Sequence, residues 1–140
     1  MIEEDKIKVY IAAPWVRKAE ALETQEKCEA AGLEVTSCWI KYHPEVLIGS
    51  NTPEELSMLS EQAEADLADL EDADAVIYLN LQKSEGKATE LGYAVALNKF
   101  IILVGDRKNN IFLHLPEVIK VDTIEEAITF LQRYFIAGPR

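Results

Sequence analysis

The side chains of this sequence best suited to chemistry are carboxylates and aromatics placed where regular segments begin and end. Glu90 opens a helical pattern, from about Lys87 to Leu97, that follows the apolar run Ala75-Val-Ile-Tyr-Leu79 and the polar loop Asn80 to Gly86. A carboxylate in a first helical turn is favoured by up to ~1–2 kcal/mol, which keeps it ionised and fit to act as a nucleophile. Helix capping alone would also account for a glutamate there. Asp66 belongs to a pattern from about Pro53 to Leu70, in which Leu56, Leu59, Ala63, Leu67 and Leu70 recur at helical spacing. At about 100° per residue, Asp66 lies about 60° from the centre of that stripe and Asp69 about 120°, so Asp69 is expected to be more solvated. A partly desolvated aspartic acid holds its proton more tightly and can donate it. The plainer alternative for Asp66 is a solvated face of an acidic protein. Tyr10 is central in Ile7-Lys-Val-Tyr-Ile-Ala12, where a buried hydroxyl needs a partner. Trp15, just beyond, offers a flat ring suited to stacking on a base or to packing as a lid.

Several common chemistries lack their residues. No Gly-x-Gly-x-x-Gly follows the first strand pattern, no phosphate-cradling Gly-Lys-Ser/Thr loop occurs, and there is no Gly-x-Ser-x-Gly elbow. Asn80 stands where a receiver domain would carry a phosphoacceptor aspartate. Cys28 and Cys38 are too few for a disulfide framework, and His43 and His114 are isolated, so no zinc spacing exists. The expectation is no metal, no cofactor and two reduced cysteines.

These residues must be held by the rest of the chain, whose 140 residues suit one domain spanning 1–140. The 14 Lys+Arg against 25 Asp+Glu leave a formal charge of −11, with no basic stripe for a nucleic-acid polymer. No apolar run approaches the ~20 residues of a membrane span. The acidic start, Met1-Ile-Glu-Glu-Asp-Lys6, lacks the basic and apolar regions of a secretory signal, so a cytoplasmic location is expected. Strand patterns at Ile7–Ala12, Leu33–Trp39, Ala75–Leu79, Phe100–Val104 and Val118–Val121 alternate with helical ones. The first of these helices, Arg17 to Ala31, stops at Gly32, and the last starts at the capping box Thr123-Ile-Glu-Glu126. This alternation predicts an α/β domain: a five-stranded parallel sheet, doubly wound with helices on both faces. Ligands of such sheets bind beyond the carboxyl ends of the strands. Four segments then surround one site: Ala12 to Arg17, the loop around His43, Asn80 to Glu90, and Gly105 to Asn110.

Three stretches together resemble the nucleoside 2'-deoxyribosyltransferase family, which also contains nucleotide N-hydrolases. They are Val9-Tyr-Ile-Ala-Ala-Pro-Trp15, Ala65-Asp-Leu-Ala-Asp-Leu-Glu-Asp-Ala-Asp-Ala-Val76 and Gly86-Lys-Ala-Thr-Glu-Leu-Gly-Tyr-Ala94, and the resemblance runs from Lys8 to about Leu115. It implies a flavodoxin-like or Rossmann-like fold, with Glu90 as the nucleophile at the sugar's C1' and Asp66 as the acid that protonates the departing base. It further implies Tyr10 as the hydroxyl that orients the nucleophile and Trp15 as a wall of the base pocket. Ala12 and Gly86, within the same motifs, count as substrate-binding positions. Transfer to a second base makes such an enzyme a transferase, transfer to water a hydrolase. Ser84 matches the serine that meets a 5'-phosphate in the hydrolases, whereas Asn110 matches an asparagine of the transferases that reaches a neighbouring subunit's 5'-hydroxyl. The hydrolases' glycine-rich phosphate loop is absent, and Arg17 with Lys18 either replaces it or decorates a helix surface. The implied partners are a small nucleoside or nucleotide, a free base and further copies of the chain, as a homodimer or larger homo-oligomer. Base exchange on 2'-deoxynucleosides is the leading expectation. The alternatives are a deoxynucleoside 5'-monophosphate N-hydrolase and a non-catalytic nucleotide-binding sensor.

Overall fold

The computed structural model describes residues 6–42, 52–107 and 110–137. Its strands are β1 (Lys8–Ala12), β2 (Glu34–Val35), β3 (Ala75–Leu79), β4 (Phe100–Val104) and β5 (Val118–Val121). Its helices are α1 (Lys18–Ala30), α2 (Trp39–Tyr42), α3 (Pro53–Asp72), α4 (Glu85–Ala96) and α5 (Ile124–Ala137). Every strand pairing is parallel, in the order β2-β1-β3-β4-β5. The sheet is covered on both faces, with α1 against α5 on one side and α3 against α4 on the other. The doubly wound α/β expectation therefore holds. All five residues of β3 are buried, as its unbroken apolar run requires of a strand with helices above and below.

Local chemistry sets the boundaries. After α1, Gly32 takes a φ of 87° and the amides of Gly32 and Leu33 return to Glu29 and Cys28, which closes the helix. Thr123 caps α5 by accepting from the Glu126 amide at 3.1 Å. The strand pattern at Leu33–Trp39 is realised only as Glu34–Val35. Polar side chains end it: Ser37 Oγ accepts from the Ile11 amide at 3.1 Å, and the Thr36 hydroxyl donates to the Asp69 carbonyl at 2.8 Å. These bonds compete with the β-ladder, and the chain turns into α2 instead.

The apolar stripe of α3 also departs from expectation. Leu70 is fully buried, whereas Leu56 is 52% exposed and Met58 and Leu59 are exposed as well. A helix of 20 residues extends about 30 Å, against roughly 17 Å for a five-residue strand. The amino-terminal half of α3 overhangs the carboxyl edge of the sheet. Leu70→Ala should cost about 2–5 kcal/mol in urea unfolding and Leu56→Ala within about 0.5 kcal/mol. Equal costs would mean that the whole stripe packs.

Candidate functional site

Residues Ala12 and Tyr78 are paired in register, and side chains alternate along a strand, so Tyr10, Ala12 and Tyr78 share the sheet face covered by α3 and α4. Tyr10 is fully buried at mid-strand, and its hydroxyl donates to Glu90 Oε2. Eighty positions apart in the chain, the two residues are brought together by the β1–β3 pairing and the packing of α4 on β1.

Glu90 is not in a first turn. Helix α4 begins at Glu85, with Ser84 as its N-cap, so Glu90 falls in the second turn. Its electrostatic state also differs from the expected ionised one. Burial pushes its carboxyl up to about 8, the hydrogen bond from Tyr10 pulls the other way, and the negative charge of Asp66 adds to the rise. Distance from the helix terminus weakens the dipole, and desolvation wins. Tyr10 is pushed far above its ordinary value, first by burial and then by the charges of Glu90 and Asp66, and stays a proton donor.

Asp66 is half-buried on α3 and accepts from Gln62 Nε2 at 2.7 Å. Asp69 is half-buried too, not more solvated as its helical angle suggests, because its carboxylate accepts from the Cys38 amide at 3.0 Å. Ala12 is fully buried at the end of β1. Trp15 lies in a 3-10 turn, Trp15–Arg17, with its ring 6.3 Å from that of Trp39 and Lys18 Nζ 4.9 Å above it. Arg17 pairs with Glu20 at 3.1 Å on the surface. The loop around His43 lies outside the described residues.

Beyond the carboxyl ends of β3 and β4 opens a cavity of about 640 Å³, lined among others by Tyr78, Ser84, Lys87, Arg107, Asn110 and Phe112. Glu90, Asp66 and Tyr10 are not among its lining residues; Tyr78 is, and the charge of Glu90 raises the Tyr78 hydroxyl above the ordinary value, second to burial. Ser84 Oγ accepts from the Lys87 amide at 3.2 Å, and Asn110 Oδ1 accepts from the Phe112 amide at 2.9 Å. Gly86 is exposed in the first turn of α4 and is not among the lining residues; a Cβ there would meet nothing closer than Ser84 Oγ at 3.9 Å. Neither Trp15 nor Arg17 lines the cavity among the described residues. Its cations are Lys83, Lys87 and Arg107, which sequence reasoning missed. A lysine in a first helical turn reads as surface, and only tertiary structure shows Lys87 to be 2% exposed. No group of His, Cys, Asp and Glu fit to hold a metal occurs among the described residues. No helix there is long and apolar enough to cross a membrane.

A half-buried, tyrosine-bound glutamate on α4 thus lies within the field of an aspartate on α3, and the sequence pattern of the family described as nucleoside 2-deoxyribosyltransferase matches residues 9–126. The chain belongs to that family. Among solved structures, a 2-deoxyribosyltransferase of Bacillus psychrosaccharolyticus is similar at 21% identity and a TM-score of 0.61, covering 86% of this chain and 90% of that one. A CMP N-glycosidase of Clostridium botulinum is similar at 20% identity and a TM-score of 0.52, covering 91% and 99%. A conserved protein of Enterococcus faecalis V583 is similar at 11% identity and a TM-score of 0.60, covering 94% and 100%. These likenesses show the fold. No curated protein matches the chain. Members of this deoxyribosyltransferase family catalyse N-glycosyl transfer or hydrolysis on nucleoside-type small molecules.

The raised carboxyl of Glu90 couples stability to pH. Between its ordinary value of 4.5 and about 8, the unfolded chain ionises while the folded chain keeps the proton, so stability falls as pH rises through that window. Glu90→Gln removes this loss. Its gain over the native chain should be near zero at acid pH and grow to on the order of 1–3 kcal/mol above pH ~8 in denaturant titrations. A gain independent of pH would show that Glu90 is not desolvated.

Proposed function

We propose that this chain cleaves the N-glycosidic bond of 2'-deoxynucleosides and transfers the sugar to a second base, with Glu90 as nucleophile. The observation that carries the reading is the Tyr10 hydroxyl bound to a half-buried Glu90 carboxyl within the field of Asp66. An oxygen of Glu90 forms a bond to C1' as the C1'–N bond breaks. The electron pair leaves with the base, which takes a proton from Asp66. The incoming base then attacks C1' of the glycosyl ester from the vacated face: the C1'–O bond to Glu90 breaks, the base's N–H proton passes to the Asp66 carboxylate, and the Glu90 carboxylate is regenerated with configuration retained. Tyr10, held protonated, donates to Glu90 throughout and favours its ionised form. Trp15 stacks on the base, and Ser84, Asn110 and the Ala12 end of β1 hold the sugar.

At rest the proton is on the wrong member of the pair. Glu90 holds it near neutral pH, while Asp66 bears the charge that helps keep it there. The reaction needs Glu90 ionised and Asp66 protonated, which is the same one-proton pair in its other arrangement. Substrate binding must therefore shift one proton between the two carboxyls.

A second reading, hydrolysis of deoxynucleoside 5'-monophosphates on the same residues, is favoured by the cavity wall. Ser84 there caps a helix amino terminus, and Lys87 and Arg107 line the same cavity, in a chain of formal charge −11. Such a wall attracts a phosphate. A homo-oligomer belongs to the proposal as well, supported by the exposed Leu56, Met58 and Leu59 on the overhanging half of α3. So does a cytoplasmic location, supported by the free thiols of Cys28 and Cys38.

The test is incubation with 2'-deoxynucleosides, with and without a second free base, and with their 5'-monophosphates. Base exchange supports the first reading, free sugar phosphate supports the second, and binding without turnover would make the chain a sensor. Glu90→Ala should abolish either reaction. In the native chain kcat/KM should fall as pH rises through about 8, where the pair loses its last proton. Asp66→Asn should lower kcat by about 10²–10⁴ and invert that limb, since Glu90 alone then has to ionise. An unchanged limb in Asp66→Asn would remove Asp66 from the role of acid.

A further inference from the structure

Lys87 is the least expected side chain of the cavity. Among the described residues its buried ammonium has no carboxylate in its hydrogen bonds: it donates to the Gln82 carbonyl at 2.7 Å, the Leu79 carbonyl at 3.3 Å and Asn80 Oδ1 at 3.3 Å. A lysine has three N–H donors, and these three neutral oxygens use them all. The ammonium also lies 4.8 Å from the centre of the Tyr78 ring. Desolvation brings Lys87 down to about 8, a measure of how poorly solvated the amine is. Burying a cation among neutral oxygens is costly, and a methionine, unbranched and one atom shorter, would avoid that cost.

The geometry around it is that of a tie between loops. Leu79, Asn80 and Gln82 are the end of β3 and the start of the segment leading to α4. The backbone amide of Lys87 meanwhile donates to Ser84 Oγ, so one residue restrains the segment through its main chain and its side chain. Asn80 extends the tie, because its Nδ2 donates to the Asp106 carbonyl in the loop after β4. That loop passes close by. At Gly105, with φ 117°, an added Cβ would lie 3.5 Å from the Asn80 carbonyl oxygen. Beyond it follow Arg107 and Asn110, which also line the cavity.

We propose that Lys87 is a positioning residue that sets the shape of the cavity's polar end. Through the Lys87–Asn80–Asp106 chain it fixes where Ser84 on one loop and Arg107 and Asn110 on the other face a ligand, without contacting that ligand itself. Having no donor left, it acts on the affinity for an uncharged nucleoside only through the loops. The inference rests on the reading that this cavity takes the sugar end of a nucleoside or nucleotide.

Binding to the whole chain separates this role from simple support of the fold. In a Glu90→Ala background, calorimetry is run against the four 2'-deoxynucleosides and their 5'-monophosphates. Adding Lys87→Met should weaken the tightest-binding uncharged 2'-deoxynucleoside by about tenfold or more, and Asn80→Ala should weaken it by about threefold or more. With Glu90 restored, Lys87→Met should raise KM by about the same factor while kcat falls less than about threefold, a split that general destabilisation would not produce. A folded Lys87→Met chain with unchanged affinity overturns the proposal. Should that variant fail to fold, unchanged affinity in Asn80→Ala overturns it and weakened affinity supports it. If the Glu90→Ala chain binds no member of the panel, the reading of the cavity fails and this inference falls with it.

Discussion

Everything in this site depends on a carboxyl group taken out of water and met by one hydroxyl. Desolvation raises the free energy of an ionised Glu90, and the hydrogen bond from Tyr10 returns part of that cost. In water, the same glutamate would be a solvated anion with little reason to attack carbon. Against the sheet it is held in one place, with an aspartate near enough for each carboxyl to feel the other's charge. Two acids in one field share a proton unequally, and here burial and the charge of Asp66 place it on Glu90.

The doubly wound sheet supplies the conditions for this. Because β1 and β3 are neighbours while their connections leave in opposite directions, a crevice opens at their carboxyl ends. Tyr10 reaches the carboxylates from within the sheet, Glu90 from α4 and Asp66 from α3, so three separate elements converge on one point. The strands and helices carry Tyr10, Glu90 and Asp66, and the loops after β3 and β4 carry the polar wall of the cavity. Rigid elements for chemistry and adjustable loops for recognition is a common division in such folds. The tie through Lys87 and Asn80 makes these particular loops less adjustable than their polarity suggests.

Much of this was legible in the residues themselves. The unbroken apolar runs Ala75–Leu79 and Phe100–Val104 require cover on both faces, and both are strands with the expected bounds. Glycine at position 32 and threonine at 123 end and begin helices by local chemistry that needs no tertiary partner. Glu90, Asp66 and Tyr10 were legible as candidates because their motifs recur in a known order. The shortening of β2 was not, because it depends on Ser37 and Thr36 finding partners in β1 and α3. Nor was the exposure of Leu56 and Leu59, since periodicity identifies a face of a helix without saying how far the sheet beneath it extends.

From the order of its residues alone, this chain specifies its alternation of strands and helices, the parallel sheet that follows from it, and the acidic and aromatic groups placed at the sheet's ligand edge. Those are properties of short stretches, set by spacing and by neighbours a few positions away. The protonation of Glu90, the burial of Lys87 and the cationic wall formed with Arg107 were decided only by the folded structure. Each depends on how much water is excluded and on which distant oxygens come within reach. Solvation and long-range contact are properties of the assembled volume, and no segment carries them by itself.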